Sequence, residues 1–179
     1  MINMAAGFIN PVFAIFILKQ IEGGSAQIAG TAAAAYWITK SILRLPIGYY
    51  LDKKRGEKDD FYSMILGFFI FGLSHFFYIF AKTPLHIYLI GAFMGIGGAL
   101  AFTPWYGFFT RYIDGLRENF EWSINLSLVG FGLALAGFLG GFIADKFGFP
   151  VLFIIAGFLS FLGIAFLFLI YKHIKHPPA

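Results

Sequence analysis

Two basic side chains, Lys40 and Arg44, stand inside the long apolar stretch 26–51. Trp37, Lys40, Ser41, Arg44 and Gly48 recur at i, i+3/i+4 spacing, so on a helix they share one face. A cation at membrane depth costs about 3 kcal/mol or more against lipid, and it usually turns toward a cavity or a partner. This face could draw in an anionic solute or pair with an acid. The alternative is that Arg44 snorkels to the surface while Lys40 bonds to backbone carbonyls. No acid lies deep in the other apolar runs, so a pairing carboxylate must come from a solute, a partner or Asp52. Asn10-Pro11 and Thr103-Pro104 place prolines inside two further runs. Proline removes a helical hydrogen bond and bends the helix. Bent helices would offer Asn10, Thr103, Trp105 and Tyr106 for polar or stacking contacts, or the prolines would be packing kinks alone. Asn125 either lines a cavity or bonds to a neighbouring helix. His75, alone in its run, is expected to be a hydrogen-bonded packing residue rather than a proton relay. Phosphate-cradling loops, metal-ligand clusters and nucleophile–base pairs are missing from the pattern. No catalytic residue, metal or cofactor is therefore assigned, and an enzyme is not expected.

The elements that must hold these residues follow from composition. The chain is 59% hydrophobic and 12% charged, whereas soluble domains run near ~45–50% and ~25%. Too little polar surface exists to coat a water-soluble globule, so the solvent is lipid. The absence of Cys excludes disulfides and thiolate metal sites. Six runs are long enough to cross a hydrocarbon core, which takes about 20 residues of helix. They cover roughly 2–19, 26–51, 61–81, 85–112, 121–145 and 149–171. The runs are continuous rather than alternating, which favours helices over barrel strands. The first carries no Lys or Arg ahead of it and is read as a retained helix rather than a cleaved signal.

An internal echo organises the six. Asn10-Pro11 maps onto Thr103-Pro104, and Gly48-Tyr-Tyr-Leu-Asp52-Lys53 onto Gly141-Phe-Ile-Ala-Asp145-Lys146, at one constant offset. A constant offset marks two copies of one unit. With three spans per copy, the second copy enters the membrane from the opposite face. The expected fold is all-α: six transmembrane helices in one domain over 1–179, as two inverted three-helix repeats of about 1–81 and 85–171. Lys53, Lys54, Arg55, Lys58, Arg111, Arg117, Lys172 and Lys175 fall on one side, and Lys19, Lys82 and Lys146 on the other. Positive-inside then puts both termini in the cytoplasm, with the cell membrane as the expected location. The mixed signs of 53–60 argue against nucleic acid as a partner.

The segment Gly48-Tyr-Tyr-Leu-Asp52-Lys53-Lys54-Arg55-Gly56-Glu57-Lys58 resembles the loop between the second and third helices of the major facilitator superfamily, with its second Gly one position later. Gly130-Phe-Gly-Leu-Ala-Leu-Ala-Gly137-Phe-Leu-Gly140-Gly141 is similar to that family's Gly-rich fifth helix. Ala136-Gly137 stands where its antiporters have Gly-Pro, so antiport is not carried over. The resemblance implies half of the family fold, nearest the N-terminal half, with helices one and four lining the pathway. It implies that Gly48, Asp52, Lys53, Arg55 and Gly56 belong to a conformational lock on the cytoplasmic side. Gly137, Gly140 and Gly141 are expected to pack helices, or to meet a second half or a second copy. The expected function is part of a secondary transporter moving a small, anionic solute by alternating access. A non-transporting membrane scaffold and a truncated transporter fragment are the alternatives.

Overall fold

The computed structural model describes residues 1–54, 56–113 and 115–174. Over them the chain forms α1 (Ile2–Ile9), α2 (Phe13–Gln20), α3 (Ala26–Lys54), α4 (Glu57–Tyr78), α5 (Pro84–Arg111), α6 (Glu118–Phe147) and α7 (Phe149–Ile174). Of these, α4, α5, α6 and α7 are long and apolar enough to cross a membrane, and α1 with α2 makes a further candidate bent by 48°. The 29-residue α3 is long enough but less apolar, because Gln27, Thr31, Lys40 and Arg44 interrupt it.

The run expected as one helix over 2–19 is therefore broken, and Pro11 explains the break. Proline has no N–H to give the Gly7 carbonyl. The Val12 N–H turns instead to the Ile9 carbonyl at 3.0 Å, leaving that of Phe8. Both carbonyls point at glycines of α6. A side chain on Gly140 would run into the Phe8 carbonyl, and one on Gly137 would meet Pro11 Cγ at 3.3 Å. These two glycines thus serve packing inside the chain, while Gly141 has open space beside it. Pro104, its counterpart by the offset, lies inside an uninterrupted α5. The two prolines do not have the same effect.

Helix ends follow local chemistry. Thr83 and His86 form a capping box ahead of Pro84, the first residue of α5. Glu57, Asp59 and Asp60 sit in the first turn of α4, where carboxylates favour the helix N-terminus and draw its start back from 61 to 57. A single residue, Gly148 at φ 85°, separates α6 from α7. That left-handed conformation suits glycine.

α5 is the central element, packed on α3 along one side and α4 along the other, while α7 lies on α4 and α1 and α6 lies on α1. Glycines permit the closeness. A Cβ on Gly95 would stand 2.6 Å from the Tyr36 carbonyl of α3, and one on Gly97 would stand 2.8 Å from the Phe71 amide of α4. In lipid, such close backbone approach supplies much of the packing energy. We expect Gly95→Val to destabilise the protein by about 1–3 kcal/mol, and Gly141→Val, with nothing within 4 Å, to stay within about 0.5 kcal/mol. Unfolding in detergent micelles, followed by tryptophan fluorescence, measures both.

Candidate functional site

Lys40 stands midway along α3, and the contact with α5 turns it inward to 5% exposure. Its socket is built by what α5 lacks: a Cβ on Gly98 would meet the Tyr36 hydroxyl at 3.0 Å and Lys40 Cδ at 3.3 Å. Lys40 Nζ donates a hydrogen bond to the Tyr36 hydroxyl at 2.9 Å. It also lies 5.1, 4.8 and 4.3 Å from the ring centroids of Tyr36, Trp37 and Phe102. Each ring face attracts a cation by about 0.5–2 kcal/mol, more when water is excluded. The aromatic cage is what makes a buried ammonium tolerable here.

This cage opens into a cavity of about 380 Å³ between α1, α3, α4 and α5. Asn10, Trp37, Lys40 and Tyr106 line it, together with Asn3 and His75. Among the described residues that line it, none is acidic. Other residues singled out in the sequence fall elsewhere. Ser41 is exposed on α3. Arg44 lies one turn along, its guanidinium carbon 5.7 Å from the Tyr106 ring and its Nε buried without a partner. Thr103 keeps a buried hydroxyl without a partner, against the helix face at Gly48. Trp105 and Asn125 line a separate cavity of about 250 Å³.

The segment expected as a loop motif is mostly helical: Gly48, Asp52 and Lys53 are inside α3, and Gly56 caps α4. Arg55 lies outside the described residues. Charge pairing at this end joins Lys54 and Glu57 of that segment, and Asp60 just beyond it, to neighbouring residues. Arg111 at the end of α5 pairs with Asp60, which is buried at 5% exposure. Tyr112 donates a hydrogen bond to Glu57 at 2.6 Å, which raises the phenol pKa. Lys54 meets Asp59 at 3.6 Å. These contacts clamp the first turn of α4 to the last turns of α5 and α3.

His75, expected as a packing residue, does pack: its ring rests edge-on against Phe71, with centroids 5.3 Å apart. It is fully buried.

A helical bundle with a polar pocket between apolar helices suits many membrane proteins, and comparison narrows the choice. The profile of the Major Facilitator Superfamily matches residues 1–179. The chain belongs to that superfamily. It is similar to an uncharacterized MFS-type transporter of Methanocaldococcus jannaschii, 28% identical over 161 residues, which cover 89% of this chain and 40% of the relative. The chain thus spans less than half the length of that relative. Superfamily membership makes it an integral membrane protein of a transporter family.

Removing one partner of a buried ion pair leaves an uncompensated charge, at a cost of about 3–5 kcal/mol when both are buried. Arg111 is about half exposed, so we expect Arg111→Ala to cost about 1–3 kcal/mol. Asp60→Asn in the same chain should restore part of this, as read by thermal unfolding in micelles.

Proposed function

We propose that this chain is half of a secondary transporter, built as six spans in two inverted repeats and completed by a second half or a second copy. The bent α1–α2 pair is the first span, and α3 the second. Packing supports the repeat. Exchanging the first three spans for the last three turns the α3–α5 contact into α6–α1 and the α4–α5 contact into α7–α1, and it returns α4–α7 to itself. Each of these contacts is present. The need for a second half is supported by α6, only 11% of whose apolar window is buried within the chain. The 40% coverage of the archaeal relative supports it too.

The solute is a small anion. One observation carries this reading: a buried ammonium faces a cavity whose described lining has no acid. The counter-charge then arrives with the solute. Alternating access exposes the cavity to each side in turn as one bundle rocks against the other. Both termini lie in the cytoplasm, with the α3–α4 junction and the flanking Lys53, Lys54 and Lys58. Asp52 and Lys53 act at that face, beside the clamp of Asp60 and Arg111.

Proteoliposomes holding the protein should accumulate a small monocarboxylate above empty-liposome levels. Lys40→Ala should reduce uptake at least tenfold while the protein elutes unchanged from size exclusion. Uptake by Lys40→Ala equal to that of wild type would remove the cationic site from the mechanism.

A further inference from the structure

The cavity of about 250 Å³ lies beside the Lys40 cavity, among α1, α4, α5, α6 and α7. Phe68, Ala101, Val129, Phe166 and Leu167 make most of its wall apolar, and no charged side chain lines it among the described residues. Two residues line both cavities, Asn3 of α1 and Phe102 of α5. Phe102 is also the ring that α5 gives to the cage, its centroid 4.3 Å from Lys40 Nζ. One side chain thus caps the ammonium and borders both the polar space and the apolar one.

The helix divides at this position. Trp105, three residues on, lines the apolar cavity, while Tyr106, four residues on, lines the Lys40 cavity. The Phe102 ring stacks on Tyr106 with centroids 6.5 Å apart, and it is only half-buried. The charge it faces also holds it, since the quadrupole of a ring is attracted to a cation. A carboxylate that reaches Lys40 neutralises the ammonium with a charge-assisted hydrogen bond. The attraction on the ring then falls, and a ring turned aside leaves the two cavities continuous.

We propose that the second cavity is a subsite for the apolar tail of the solute, entered past Phe102, and that the solute class is an unbranched aliphatic monocarboxylate. The carboxylate stays on Lys40, the chain crosses between Phe102 and Asn3, and its end is buried against α6 and α7. This rests on the anion-site reading above and adds to it a tail that the anion site alone does not require.

The test uses the full chain in detergent micelles and two probes, butyrate and hexanoate, titrated by calorimetry against protein-free micelles as the blank. Each methylene taken out of water is worth about fourfold in affinity. Displacing the ring consumes part of that gain, so wild type should bind hexanoate about tenfold more tightly than butyrate. Val129→Phe fills the second cavity from its far wall. It should bring the two probes within about twofold of each other and leave butyrate, which is too short to pass the ring, unchanged. Val129→Leu, a smaller filling, should lower the preference partway, and it decides the matter if Val129→Phe does not fold. Phe102→Ala removes the obstacle and should widen the preference beyond that of wild type. Equal affinity of wild type for both probes overturns the proposal. A preference that survives filling of the second cavity overturns it too, because the tail then lies beside Lys40. So does a preference that Phe102→Ala leaves unchanged. Each of these three results leaves the anion site standing. Lys40→Met tests that site separately: undiminished binding of both probes there sinks the underlying reading, and failure of wild type to bind either probe sinks both.

Discussion

A single ammonium held away from water sets the terms for the rest of this structure. Among the described residues, Lys40 has no carboxylate beside it, and a phenol and three ring faces surround its ammonium. Rings can substitute for hydration only when brought within about 6 Å on several sides at once. Tyr36 and Trp37 come from α3 itself, but Phe102 comes from α5. The cage therefore exists only while α3 and α5 are in close contact. Gly91 and Gly95 maintain that contact, because any side chain there would collide with carbonyls of α3. Backbone packing and site electrostatics are, to this extent, one interaction.

The same dependence runs outward to α4. Gly67 and Gly97 bring α4 against α5, and the Ser63 hydroxyl donates to the Leu100 carbonyl at 2.9 Å. This positions Phe71 on the cavity wall. At the end of the bundle the Arg111–Asp60 pair and the Tyr112–Glu57 bond tie the same two helices together. α5 serves as a spine, with small residues toward both neighbours.

Much of this was legible in the sequence, for physical reasons. Lipid leaves the backbone no alternative to helices, so the apolar runs locate them to within a few residues. The 3.6-residue period put Trp37 and Lys40 on one face before any coordinates were known. Proline chemistry anticipated a bend in each run; that the helix breaks outright at Pro11 while α5 continues through the buried Pro104 is decided by their neighbours. Asp60 and Arg111 are 51 positions apart at the margins of apolar runs, where charges ordinarily meet water; only the packing of α4 on α5 makes them partners. The small residues of α6 pointed to helix packing, and Gly137 and Gly140 do accommodate α1 where Pro11 frees its carbonyls.

The cationic centre of α3 has a consequence for biogenesis. A lysine or arginine at the middle of a nascent segment opposes its release from the translocon into lipid by about 2.5–3.5 kcal/mol each. The rings that ease this for Lys40 include Phe102, and α5 begins thirty residues after α3 ends. During synthesis α3 therefore emerges before the helix that makes its burial tolerable. It has to linger at the translocon or the membrane interface until α5 arrives, and the two then partition as a unit.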